Sequence, residues 1–287
     1  MATIGGDVTE EITREVDLFG SIMQQNVIEN EFNREYAPLA TIPPGAAIEF
    51  RVTGSNDLYM DLNNSRLHVL AKITKADGTN IDANTAAPIN LTLHSIFREI
   101  GVELNNRNVG DTSQLYPYRS FLESLLNYSK ETQETRLLCD GWTKDTTGHV
   151  NVTAVGGDNA GLNARAVNFA RSTVVELIGR HHADVFHQDR LIPPNIDLSI
   201  KLMTSPNNFV CKSATPVGNA VQENFKLVIQ SANLIIHNKQ LTSTALKAHM
   251  EHLQLRNMRH HISRVLMKHL TIPANQTFSP AFFQTWS

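Results

Sequence analysis

Ile48-Glu49-Phe50-Arg51-Val52 decides the fold class, and Leu67-His68-Val69-Leu70-Ala71-Lys72-Ile73 repeats its pattern. In the first stretch Ile48, Phe50 and Val52 share one side of an extended chain, while Glu49 and Arg51 take the other. A period of two marks a strand with one buried face, because successive side chains of a strand point to opposite sides. Apolar runs of the same kind predict strands over residues 97–104, 174–178, 183–186, 196–202, 225–236 and 261–270. Turn residues punctuate them: Ala76-Asp77-Gly78, and Asn105-Asn106 after Leu104, where asparagine tolerates a positive φ.

Two segments follow a helical period instead. After Pro117, which suits a first helical turn, Tyr118, Phe121, Leu122, Leu125 and Leu126 fall on one face, and Phe121, Leu122 and Leu125 are expected in the core. A second helix is predicted from a Ser243 or Thr244 cap through Leu246, Met250 and Leu253. Many short strands, few helices and long insertions between strands point to an all-β jelly-roll sandwich with two short helices. Residues 131–171, rich in Gly, Asn and Thr, read as a surface insertion. Residues 7–36 carry Glu, Asn and Gln with isolated apolar positions and read as a leader, which Pro38, Pro43 and Pro44 close. The expected organisation is an arm over 1–45, a jelly roll over 46–241, a connector helix over 242–258 and the start of a second, incomplete jelly roll over 259–287.

The 287 residues are 41% hydrophobic and 18% charged, which excludes wholesale disorder and leaves the surface short of charge, as if part of it were covered. With 25 basic against 28 acidic residues, the chain lacks the balance of a protein that neutralises many phosphates, so no specific nucleic-acid site is expected. Cys139 and Cys211 are too few for a disulfide scaffold or a cysteine-rich zinc module, and are expected as free thiols in a reducing compartment. No apolar run reaches the length of a membrane span. The acidic start, MATIGGDVTEEITREVD, lacks the basic and apolar regions of a secretory signal, so the chain is expected to stay on the side of the membrane where it is made.

Catalytic constellations are sparse. His181, His182 and His187 cluster with Asp184 and Asp189, but in a strand His181 and His187 would stand about 20 Å apart, too far for one metal. There is no His-X-His of a cupin, no Gly-X-Ser-X-Gly and no Walker-type loop, the Gly-rich 156–161 lacking its Lys-Ser/Thr. His249, His252, His260 and His261 lie in a locally basic stretch without cysteine or carboxylate partners at motif spacing, and read as a solvated or interface face, with contact to nucleic acid or an acidic partner as the alternative. The expectation is therefore no enzyme, no cofactor and no catalytic or metal residue.

Three blocks in succession carry a resemblance. The first runs through Asp17-Leu18-Phe19, Glu35-Tyr36-Ala37-Pro38, Ile48-Glu49-Phe50, Tyr59-Met60-Asp61-Leu62 and Ile73-Thr74-Lys75-Ala76-Asp77-Gly78. The second joins Pro88-Ile89-Asn90-Leu91-Thr92-Leu93-His94, Val102-Glu103-Leu104-Asn105 and Tyr116-Pro117-Tyr118-Arg119-Ser120-Phe121-Leu122. The third is Ile178-Gly179-Arg180-His181-His182-Ala183-Asp184-Val185-Phe186-His187-Gln188-Asp189-Arg190-Leu191 with Ile196-Asp197-Leu198-Ser199-Ile200-Lys201-Leu202. From about residue 17 onward the chain resembles the double jelly-roll major capsid proteins of polinton (Maverick) transposons and adintovirus-like elements, of the adenovirus-hexon lineage. The resemblance implies a structural protein without an active site. It implies homotrimers whose paired rolls make pseudo-hexagonal capsomers of an icosahedral shell around double-stranded DNA. It further implies minor capsid or penton proteins as partners, and a place in the virion or capsid, or otherwise inside the cell. The chain departs from the family in its second roll, for which only 261–270 and 278–286 remain, so a fragment, a decayed copy or a single-roll derivative is expected. The alternative reading is a jelly-roll module that binds carbohydrate or protein through its loops.

Overall fold

Ile48, Phe50 and Val52 are all buried, as are Leu67, Val69, Ala71 and Ile73, so both opening stretches place their alternating side chains in a core. The computed structural model describes residues 27–42, 45–110, 113–213 and 225–269. Its strands are β1 (Ile28–Tyr36), β2 (Ile48–Val52), β3 (Leu58–Lys75), β4 (Ala86–Pro88), β5 (Phe97–Leu104), β6 (Arg107–Asn108), β7 (Val175–Gly179), β8 (Leu198–Thr204), β9 (Cys211–Ser213) and β10 (Phe225–Leu241). The helices are α1 (Thr92–Ser95), α2 (Tyr116–Asn127), α3 (Lys130–Glu134), α4 (Ala160–Asn168), α5 (Asn207–Val210) and α6 (Ser243–Leu255), with short 3-10 turns besides.

One four-stranded sheet has the order β1-β10-β3-β7 and the other β2-β8-β5-β6, while β4 and β9 form a separate pair. All the pairings are antiparallel. Setting that side pair apart, the first strand pairs with the last, the second with the last but one, the third with the last but two, and the central two with each other. That is a long hairpin rolled over on itself, and it is the jelly roll. The two inner faces meet over Phe50, Val69, Phe97, Leu198, Ile200 and Leu234, each at most 1% exposed. Burying a side chain of this size contributes roughly 1.5–3 kcal/mol. A register shift between Phe97 and Glu99 bends β5, so that Phe97 faces the core and so do Ile100 and Val102, which lie in the other parity. Asn105 and Asn106 close the β5–β6 hairpin with φ of 48° and 61°, as expected of a primed turn.

Several expectations change. Ile28–Tyr36, placed in the arm, is the edge strand β1 on β10, so the roll takes in Ile28–Leu241 and begins before residue 46. Residues 1–26 lie outside the described residues. The insertion over 131–171 holds α3 and α4, and it buries Leu137, Trp142 and Leu162 in small cores flanking the sheets, so it is structural rather than merely superficial. Residues 183–186 are not a strand: Asp184–His187 form a 3-10 turn. No strand occupies 261–269, and the apolar stretch 278–286 lies outside the described residues. The cap of α6 is Thr242, whose hydroxyl accepts from the Ala245 N–H, and none of the helix residues is fully buried. Cys139 and Cys211 are both free, the first exposed and the second buried. Burial pushes the Cys211 thiol up to about 12.

Candidate interaction face and the polar cluster behind it

The helix with the clearest apolar stripe is mounted the wrong way round for a core helix. In α2, Tyr118, Leu122, Leu125 and Leu126 are 52%, 44%, 47% and 77% exposed. The side turned to the roll carries Tyr116, Arg119, Ser120, Glu123 and Ser124 instead. Of the residues expected in the core, only Phe121 is partly buried, its ring 5.4 Å from that of Trp142. Leu122 and Leu125 face outward.

What holds α2 in this orientation is a set of paired polar groups. Arg119 donates from Nε to Glu123 Oε1 at 2.8 Å, and its other end pairs with Asp184. Glu123 Oε2 lies 2.7 Å from His182 Nδ1 and 3.7 Å from His187 Nε2. The Tyr116 hydroxyl meets His94 Nδ1 at 2.9 Å and accepts from the His182 backbone N–H at 3.4 Å. The His94 ring stands edge-on to His182 with centroids 4.6 Å apart. Buried polar groups persist when they are partnered in this way, and would be costly otherwise.

Burial, and then the neighbouring His94, press the His182 imidazole down to about 4 against the pull of Glu123. Burial likewise lowers His187. For Glu123, burial opposes ionisation, but the hydrogen bonds from His182 and Arg119 and the guanidinium charge prevail and hold the carboxyl well below its usual range. His181 is fully buried against Phe186, its ring nitrogens lack hydrogen-bond partners, and burial followed by the adjacent imidazoles lowers its pKa to about 3. It is a core imidazole rather than a ligand.

In the second histidine group, His249, His252 and His260 line one cleft together with Tyr59, Asp189 and Arg190. His249 Nδ1 meets the Tyr59 hydroxyl at 2.8 Å, His260 lies 3.3 Å from Gln188 Oε1, and His252 and His261 are exposed. Among the described residues, Glu123, His182 and His187 are the three that bring metal-ligating atoms together, all within 4.8 Å of one another. Sequence reasoning missed Glu123 because it sits 59 positions from His182, on a helix face taken to be outward.

Beside the exposed stripe of α2 runs a groove of about 900 Å³ whose walls include Ile89, Leu115, Tyr118, Phe121, Leu122 and Phe209. The Tyr118 and Phe209 rings lie 5.9 Å apart. The groove's exposed lining is mostly apolar and can bury apolar side chains of a partner, while Asn90, Asp145, Arg165 and Lys212 also border it. No helix among the described residues is long and apolar enough to cross a membrane.

No family model matches the chain. An uncharacterised protein of Caenorhabditis elegans, F54H12.2, is 22% identical over an alignment of 204 residues that covers 68% of this chain and 45% of that protein. Among solved structures the chain is similar to the Faustovirus major capsid protein, with a TM-score of 0.47 and 9% identity over 82% of this chain and 58% of that one. It is similar to a chain of the Sputnik virophage, with a TM-score of 0.49 and 10% identity over 84% and 54%. For the mavirus major capsid protein the TM-score is 0.42 and the identity 14%, over 84% and 52%. The chain thus spans about half the length of the proteins it matches.

Proposed function

We propose that this chain is a structural, capsid-type subunit that works by self-association rather than by catalysis. The observation that carries the reading is the outward apolar face of α2 on a jelly roll whose strands pair first with last. Four large apolar side chains on one exposed stripe are costly in water and gain from burial against a neighbour. The resemblance of the three sequence blocks to the polinton and adintovirus capsid proteins supports the same reading, and with it the finer one of homotrimeric, pseudo-hexagonal capsomers in a virion or capsid. On that reading the part of the expected arm (1–45) that precedes β1 would reach a neighbouring subunit, and 242–258 would be a connector toward a second roll, to which the described residues 259–269 contribute no strand. Minor capsid or penton proteins would be further partners. A jelly-roll module that holds a peptide segment in the apolar groove is the second reading, favoured by that groove's lining over a carbohydrate ligand.

Native mass spectrometry with negative-stain microscopy of the full chain tests the proposal. Trimers with a three- or six-sided outline are expected. A product that remains monomeric and captures only peptides would replace the first reading with the second.

A further inference from the structure

The 3-10 turn at Asp184–His187 changes what the neighbouring imidazoles can do. In a strand they would diverge along the chain, whereas the turn folds His187 back until its ring lies 5.9 Å from that of His182, centre to centre. α2 then inserts Glu123 against both, with one carboxylate oxygen, Oε2, 2.7 Å from His182 Nδ1 and 3.7 Å from His187 Nε2.

We propose that Glu123, His182 and His187 form a binding site for a divalent transition-metal ion of the zinc type, which fastens α2 to the turn that follows β7. Two imidazole nitrogens and one carboxylate oxygen are a donor set that zinc takes readily, with bonds of about 2.0–2.2 Å and a fourth position left for water or another ligand. Donors in such a tetrahedron stand about 3.3–3.5 Å apart. The short His182–Glu123 contact therefore opens slightly and the wider separations close, movements of side-chain scale.

Three further features fit an ion here. Glu123 Oε1 is anchored by Arg119 at 2.8 Å, which leaves Oε2 aimed at the imidazoles, the kind of outer contact that orients metal-binding carboxylates. Asp184 offsets the Arg119 charge, so the Glu123 carboxylate remains to face the ion, with the Arg180 guanidinium also near His187. The ion takes the place of the proton between His182 Nδ1 and Glu123 Oε2, and that proton moves to Nε2, so the imidazole stays neutral and ligates through Nδ1. The His187 side chain is 33% exposed, against 15% for Glu123 and 3% for His182, and gives the ion its way in.

The test uses the full chain stripped with EDTA and then titrated with Zn²⁺ by calorimetry and with Co²⁺ by absorption. One ion per chain, the intense visible bands of four-coordinate cobalt, and a melting temperature that rises with Zn²⁺ concentration are expected. His187→Ala removes a ligand that makes no hydrogen bond among the contacts described, so its circular dichroism should match the unaltered chain while the site is lost. Glu123→Gln should weaken binding by more than about tenfold. Failure of the folded, unaltered chain to bind either ion would overturn the proposal. So would undiminished binding by His187→Ala, which would place the ion elsewhere, for instance near His249 and His252.

Discussion

Gly179 ends β7 where there is no room for a side chain. A Cβ there would lie 2.6 Å from Leu93 Cδ2 and collide with the Asp140 carboxylate. Gly179→Ala is accordingly expected to destabilise the chain by about 1–3 kcal/mol, read as a lower urea midpoint with an unchanged slope; an unchanged midpoint would mean that the site is open. This constraint was not legible in the sequence, because Asp140 and Leu93 meet Gly179 only in three dimensions. Asn105 and Asn106 are the opposite case, since their tolerance of positive φ is a property of the residues themselves. The histidines lie between these cases. Their clustering could be read from the sequence, but their mutual distances depended on whether residues 183–186 extend or turn, and alternation alone cannot distinguish the two over four residues.

At the scale of elements, α2 and β1 show what a hydrophobic pattern conveys. The helical period of α2 was legible, and so was its Pro117 start, yet the rule that the apolar stripe faces the core failed. The other face carries Arg119 and Glu123, whose partners Asp184 and His182 come from a distant loop. The orientation predicts an inverted mutational pattern. Arg119→Met leaves the buried Asp184 carboxylate and the partly buried Glu123 without their counter-charge and should cost about 3–5 kcal/mol. Leu126→Ser, at a position 77% exposed, should stay within about 0.5 kcal/mol. Chemical denaturation of both variants checks this, and a greater loss for Leu126→Ser would contradict the helix orientation. β1 escaped notice because its apolar residues Ile28, Phe32 and Tyr36 recur every fourth position, with Asn30 and Arg34 between them, so no period of two is present. Its pairing with β10 is what identifies it. A chain begun at residue 37 would leave the β10 edge unpaired and should aggregate on heating below the melting temperature of the full chain, as light scattering would register; equal behaviour would show that β1 adds nothing to the sheet.

For the whole molecule, fold class was legible further than organisation. Alternation in 48–52 and 67–73 is a local property that survives without knowledge of partners, and it was enough to indicate a sandwich. The pairing of first strand with last joins residues some 200 positions apart, Tyr36 with Leu234 for example, and no local pattern contains that information. The low charge noted at the outset has found a location, since the exposed apolar stripe of α2 is a surface suited to burial between subunits. On the proposed reading, burial of this stripe between subunits drives self-association. Sedimentation velocity of the full chain beside Leu122→Glu/Leu126→Glu tests it most directly, because both positions are exposed and the fold should tolerate the change. The unaltered chain should sediment as a multiple of its 32.0 kDa mass and the double variant as a single chain. A wild-type chain that stays monomeric at every concentration, or a double variant that assembles just as well, would contradict the claim.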